Sequence, residues 1–303
     1  MTSACPSTSS RKFGRRYLVT RRVTLASPSH PAFLKMPRML LNPVLHSRYL
    51  IQKNVKDSDN VLSCSINQAT DLNSNSSVVL KTGLDIVAHE AHVLERLNRE
   101  NSPNIIKMLQ YYDEQSQKAL VLEYCSGGDL YDFIQSPEYD LNVAKRIFRQ
   151  VSTGLSVVHA TNISHRGISL ESILLNEDHT VAKISDFGLA CCTNEVCSLT
   201  LGRKFYIAPE ALLGEHYDPK AADIWSLGIL LYIMLTKTPA FEVASESDSR
   251  FSFMSRFGVK ALLTTSGIGG IPDDALDLLE SMICVNPSDR IEITKVLNHS
   301  YCN

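Results

Sequence analysis

Three ionisable residues stand at spacings that invite chemistry: Lys81 in the β-branched run SSVVLK, Glu90 nine residues on in LDIVAHEAHVLERL, and Asp186 in KISDFGLA. On residue type alone, Lys81 and Glu90 make an ion pair that orders a helix, and Asp186 makes a turn acid. The stretch HRGISLESILL, residues 165–175, adds a His-Arg pair on an apolar anchor and then a strand-like Ile-Leu-Leu. Its third residue is Gly167, which brings no side chain to any reaction. The eight cysteines form no C-x-x-C pair and have no His spaced to complete a zinc site, so neither a metal framework nor a disulfide framework is expected. Cys191, Cys192 and Cys197 read as small loop residues, with redox sensing as the alternative.

The elements that must position these residues follow from periodicity. From Tyr49 to about Leu122 the chain reads as strands with one helix. Val93, Leu94 and Leu97 recur at helical spacing in the Glu90 segment, and IIKMLQYY and KALVLEYC read as two strands around the polar turn DEQSQ. After SGGDL the character changes to long helices. LNVAKRIFRQVSTGLSVVHA sets Ile147, Val151, Leu155 and Val158 on one face, residues 223–235 are apolar nearly all round, and DDALDLLESMI and DRIEITKVLNH are amphipathic. With 303 residues and 44% hydrophobic content, the chain has enough apolar mass for two lobes, each with a core.

Charge is unevenly distributed under a net −2: residues 1–56 hold eleven Lys or Arg and no acid, so a basic arm precedes an acidic body. For residues 1–45 the composition allows a solvated tail, a nuclear-import patch, a mitochondrial presequence or a docking arm for an anionic partner. The longest apolar run, Ile224 to Leu235, is twelve residues where a membrane span needs roughly twenty, so a buried helix is expected and no span. No signal-peptide pattern is present, and an intracellular setting, cytoplasm or nucleus, is expected. Nothing suggests nucleic-acid readout beyond the charge of the arm.

In their order, the motifs resemble those of the eukaryotic-type Ser/Thr protein kinases from about Tyr49 to the C-terminus. VVLK resembles the β3 lysine motif, HEAHVLERL the αC helix, LVLEYCSGGDL the gatekeeper and hinge, and HRGISLES the catalytic loop. KISDFGLA resembles the metal-binding segment, GRKFYIAPE the end of the activation segment, DIWSLG the αF helix, and NPSDR the arginine before the last helix. The resemblance implies an α+β, bilobal fold, with an N-lobe over 46–124 and a C-lobe over 125–303. It implies that Lys81 holds nucleotide phosphates and pairs with Glu90, and that Asp186 binds magnesium. Leu122 is then the gatekeeper, Glu123 to Cys125 the hinge, Asp129 a neighbour of the ribose, and Leu174 part of the nucleotide-facing set. Glu210 would pair with Arg290, Asp223 would hold the catalytic-loop backbone, and His165, Phe187 and Leu94 would stack between the lobes.

The departures begin ahead of Lys81, and the losses of the catalytic loop form one cluster. Between Gly14 and Gly83 there is no glycine to form a phosphate-covering loop, and VKDSDNVLSCSI in its place carries Asp57 and Asp59. Gly167 stands at the position of the catalytic Asp, Ser169 at that of the loop Lys and Ser172 at that of the metal-binding Asn. Arg203 replaces the activation-segment Thr. Val79 adds bulk over the adenine pocket. The close spacing of Lys81 and Glu90 resembles the compact form in the unique-short-region kinases of alphaherpesviruses. Ser198 and Thr200 are hydroxyls of the activation segment, read as ordinary loop residues, with phosphorylation as the alternative. The expectation is a pseudokinase that binds an active kinase, a substrate or a regulator as a scaffold, with ATP and Mg binding weakened. Its rival is a slow ATP-dependent Ser/Thr kinase.

Overall fold

A computed structural model of the chain describes residues 44–45, 47–57, 64–114, 117–193, 200–214 and 216–303. Asp59, Cys197, Ser198 and the basic arm up to residue 43 lie outside the described residues, as does the Asp57 side chain.

The first lobe is a six-stranded antiparallel sheet with one helix. Its strands are β1 (Val44–Leu45), β2 (Tyr49–Asp57), β3 (Ser65–Asp71), β4 (Ser76–Gly83), β5 (Met108–Glu114) and β6 (Gln117–Glu123), in the order β1-β2-β3-β4-β6-β5. The first strand therefore falls just before residue 46. Helix α1 (Asp85–Asn98) follows β4 after the single residue Leu84. Alternation in the strands gives the sheet two faces. Tyr49, Ala69, Val78, Leu80 and Val121 pack together in one small cluster. Leu120 and Leu122 instead join Val87, Ala91, Leu94 and Leu97 of α1 in the main core. Met108 opens β5 later than the apolar run suggests, because Ile105 and Ile106 are drawn to the second lobe. There Ile106 N–H donates to the Ile184 carbonyl at 2.9 Å.

The second lobe contains α2 (Leu130–Phe133), α3 (Leu141–Ala160), β7 (Ile163–Ser164), β8 (Ile173–Leu175), β9 (Ala182–Ile184), β10 (Cys191–Cys192), α4 (Pro209–Leu212), α5 (Pro219–Thr236), α6 (Ser249–Thr265), α7 (Asp273–Met282) and α8 (Ile293–Leu297). Asp140 starts α3 by accepting from Val143 N–H at 2.8 Å, and Asp218 starts α5 with Pro219 in its first turn. Helix α5 is buried almost all round, as its uninterrupted apolar run requires. Ile147, Val151, Leu155 and Val158 of α3 are likewise in the core.

One reading of the C-terminal third needs correction, and one helix there goes unread. The run DRIEITKVLNH is helical only over α8, because Asp289 closes a 3-10 turn and Arg290 is extended, with its guanidinium drawn to Glu210. Helix α6 escapes periodicity analysis because Gly258, at φ +84°, breaks it into two pieces with different faces.

Candidate active-site cleft

Strand β4 carries Lys81 into the interior, and α1 carries Glu90 to meet it. Lys81 Nζ lies 2.6 Å from Glu90 Oε2 and 2.9 Å from Asp186 Oδ1. The Lys81 and Glu90 side chains are 6% and 0% exposed, whereas that of Asp186 is 45% exposed, so the cluster opens to the cleft through Asp186. Burial opposes the charge on Lys81, but Asp186 and Glu90 outweigh it and hold the ammonium well above the ordinary lysine range. Lys81 in turn is the main cause that holds Asp186 below the usual carboxylate range, with Arg203 adding to it. Burial pushes the Glu90 carboxyl up. Glu90 Oε1 also accepts from Phe187 N–H at 3.1 Å, which ties α1 to the turn that follows Asp186.

That turn needs an unusual backbone. Asp186 sits at φ +67° and Arg166 at φ +57°, conformations that cost a non-glycine residue about 1–2 kcal/mol. For Arg166 the compensation comes from Asp223 at the buried end of α5. The Asp223 carboxylate accepts from the His165 and Arg166 N–H groups, both at 2.7 Å, and lies 3.0 Å from His159 Nε2. His165 is buried, with Nε2 at 2.9 Å from the Ser185 carbonyl and Nδ1 accepting from Gly167 N–H at 3.1 Å. Both contacts require neutral imidazole with its proton on Nε2. Burial lowers the His165 pKa, with Asp223 opposing that shift. The ring meets Phe187 edge-on at 4.7 Å, and Leu94 lies in the same core.

The catalytic-loop positions are turned inward. The Ser172 hydroxyl donates to the Ser169 carbonyl and accepts from Ser169 N–H, both at 2.9 Å, and the residue is 1% exposed. The proton and one of the two lone pairs of that hydroxyl are thus used within the loop. A Cβ on Gly167 would meet His165 ring atoms at 3.4 Å and Leu189 Cδ1 at 3.8 Å, ordinary contact distances. Packing therefore does not demand glycine here. Gly167 and Arg203 instead line a cavity of about 20 Å³ together with Tyr206 and Asp223. Arg203 itself, 8% exposed, donates from Nε to Ser169 Oγ at 3.0 Å and lies 3.5 Å from Glu171 Oε2. The sequence marks Arg203 only as a replacement; its contact with Ser169, 34 residues earlier, emerges only from the fold.

At the hinge, Leu122 is buried, while Val79 pairs with it across β4 and β6 and is half-buried. The Glu123 carboxylate accepts from Lys107 N–H at 2.7 Å and Lys183 Nζ at 2.8 Å. The side chain of Glu123 is thereby committed to an interlobe contact, and its backbone is what it offers a ligand. Cys125 is half-buried, and burial pushes its thiol up to about 11. Asp129 accepts from Asp132 N–H at 3.0 Å as the cap of α2, and Leu174 bridges to Asp129 from β8. Below the cleft, Arg290 makes a two-pronged ion pair with Glu210, with its Nη2 at 2.7 Å from Oε2. In the activation segment, Thr200 donates to the Ala211 carbonyl at 2.8 Å. Cys191 is buried in β10, and Cys192 Sγ accepts from Arg96 at 3.2 Å.

The residues suit a magnesium nucleotide on the phosphate side. Lys81 is a buried, fully paired cation, and Asp186 offers a half-exposed carboxylate, the hard oxygen donor that magnesium takes alongside phosphate oxygens and water. Among the described residues there is no group of three or more His, Cys, Asp or Glu placed to hold a metal unaided. No helix among them is long and apolar enough to cross a membrane.

The family model described as the protein kinase domain matches residues 66–302, well over half of the chain. The chain belongs to the protein kinase family, and its α+β architecture is the bilobal one of that family. Its relatives include serine/threonine kinases. It is 30% identical over 231 residues to the human SNF-related serine/threonine-protein kinase, a match covering 74% of this chain and 29% of that protein. It is 33% identical over 229 residues to Calcium-dependent protein kinase 5 of Plasmodium falciparum (isolate 3D7), covering 69% and 38%. Against the probable serine/threonine-protein kinase MARK-C of Dictyostelium discoideum the identity is 34% over 207 residues, covering 66% and 26%. The matches therefore span about a third of the length of these relatives.

Proposed function

We propose that this chain is a pseudokinase: it holds a magnesium nucleotide in the cleft, transfers phosphate poorly or not at all, and works as a scaffold for an active kinase, a substrate or a regulator. The observation that carries this reading is the catalytic loop. Gly167 offers no group to accept a proton from a substrate hydroxyl, and general-base assistance is worth about a hundred- to ten-thousand-fold in rate. Ser172, at the second metal position, has its hydroxyl tied to Ser169. Lys81 and Asp186 would hold the phosphates and the metal, and Leu122, Val79 and Leu174 would flank the base. When bound, magnesium would neutralise phosphate charge. The one-residue link between β4 and α1 also supports, within this proposal, a lineage near the herpesvirus kinases.

A thermal-shift titration of the purified chain with ATP, with and without magnesium, tests the reading alongside a phosphate-transfer assay on a generic protein substrate. A magnesium-dependent rise in Tm without transfer supports it. The slow-kinase reading is favoured by the assembled Lys81, Glu90 and Asp186 cluster. Transfer that disappears in Asp186→Ala would establish that reading and overturn ours. For the basic segment, we propose an anionic partner. Deleting residues 1–45 should weaken that binding and leave Tm unchanged, and a fall of several degrees would show that the segment packs on the body.

A further inference from the structure

The histidine that shares Asp223 with the catalytic loop also borders a cavity. This cavity, of about 520 Å³, opens between the C-terminal end of α3, the first turn of α5 and the segment 287–294. Its volume is that of a small-molecule site, and such sites are pre-formed, apolar-walled and served by a few polar groups. Ala221, Pro287, Ile291 and Ile293 give it apolar walls. Those walls are tied together, because Arg290 Nη1 donates to the Ala221 carbonyl at 2.9 Å and Ile291 N–H to the Ser281 carbonyl at 3.0 Å. The buried polar group at the cavity is His159, 6% exposed. Its Nε2 lies 3.0 Å from Asp223 Oδ2. A carboxylate only accepts, so Nε2 carries the ring proton and Nδ1 of the neutral imidazole is an acceptor. Nδ1 has no partner among the described residues and is not sealed from water. Charge at the cavity is balanced: Lys220 and Arg290 stand against Asp218 and Glu292, and Arg290 is already paired with Glu210.

We propose that this cavity is a second ligand site, separate from the cleft, for a small neutral molecule that has an apolar body and one hydroxyl or N–H donor, as a phenol has. The donor binds His159 Nδ1, and the body lies against Ile291, Ile293 and Pro287. Balanced charge gives an ion no advantage there, and the free acceptor discriminates against a molecule without a donor. The inference does not depend on nucleotide binding in the cleft.

The test is an NMR titration of the full chain, labelled with ¹⁵N in its histidine rings, with p-cresol and with toluene, which has the same body without the hydroxyl. p-Cresol is expected to bind at about millimolar Kd, the scale for a ligand of so few atoms, and to shift the Nδ1 resonance that disappears in His159→Gln. Toluene should bind about fivefold more weakly, the net loss of one hydrogen bond. His159→Gln keeps an N–H donor for Asp223 and removes the acceptor, and should bring the two affinities together. Thr294→Trp places an indole over the cavity from the exposed side of α8, leaves the contact between His159 and Asp223 in place, and should abolish p-cresol binding. Equal affinities of the wild-type chain for the two compounds, no p-cresol binding at about tenfold the expected Kd, or a preference for p-cresol that survives in His159→Gln overturns the proposal. If His159→Gln does not fold, undiminished p-cresol binding by Thr294→Trp overturns it.

Discussion

The two walls of the cleft have diverged in opposite ways. On the N-lobe side, buried Lys81 and Glu90 form a closely spaced cluster with the half-exposed Asp186 carboxylate of the second lobe, and Glu90 is tied to the Phe187 backbone. On the catalytic-loop side, the corresponding acidic, basic and amide positions are Gly167, Ser169 and Ser172, and the two hydroxyl residues are spent on the loop itself or on Arg203. The difference reflects what each wall does for the fold. Removing one partner from a buried ionic cluster strands the others without water, which costs about 3–5 kcal/mol. Of the loop positions, Gly167 lines the small cavity, and Ser169 and Ser172 are buried and satisfy each other. Asp223, which does fix the loop backbone, is present and buried. The groups present on both walls, Lys81, Glu90 and Asp223, are therefore ones that the packing of the fold itself needs.

The comparison breaks most visibly at Glu90. Glu90→Ala is expected to lower the unfolding free energy by about 3–5 kcal/mol, because it removes a carboxylate partner of Lys81 and the acceptor of Phe187 N–H. Urea denaturation measures this, and a loss below about 1 kcal/mol would show that the cluster is not structural.

On the other wall, Gly167→Asp should change stability by less than about 1 kcal/mol, because its Cβ meets only ordinary contacts. The restored carboxylate should raise phosphate transfer by less than about tenfold, short of the full general-base effect. Robust transfer would mean that Gly167 is the single lesion.

Protonation sharpens the comparison, because His165 joins the two walls. Burial sets its folded pKa below the ordinary value of about 6.5, so on acidification the unfolded chain takes up the proton first. Stability contributed by neutral His165 is complete above about pH 6.5 and is lost as pH falls toward the folded value, at up to about 1.4 kcal/mol per pH unit. Urea midpoints from pH 7.5 down to pH 5 should therefore decline, and His165→Gln should flatten that slope. The Asp186 carboxylate, held low, adds a separate loss only below about pH 4.

The smallest effect is expected at the hinge. Lys183→Met removes a partly exposed ion pair with Glu123 and should cost at most about 1 kcal/mol in a urea titration. A larger loss would make that pair a third fixed point between the lobes.

Much of the architecture was legible in the chain. The β-branched run around Lys81, the helical spacing of Val93, Leu94 and Leu97, and the unbroken apolar run of α5 each encode a local period that burial enforces. Helix α6 was not legible, because the kink at Gly258 interrupts its period. The short α8 was overextended, because Pro287 and the pull of Glu210 on Arg290 act against local periodicity.

The sequence by itself determined which chemical groups exist: a lysine, a glutamate and an aspartate at motif positions, and no carboxylate at residue 167. Those are covalent facts, fixed before folding. Only the tertiary structure decided where the side chains point. It turned Ser172 back onto Ser169, committed Glu123 to Lys183 and brought Arg203 to Ser169 across 34 residues. The last two contacts join segments 60 and 34 residues apart, and they arise when packing of both lobes fixes the direction of each side chain, which no local pattern carries.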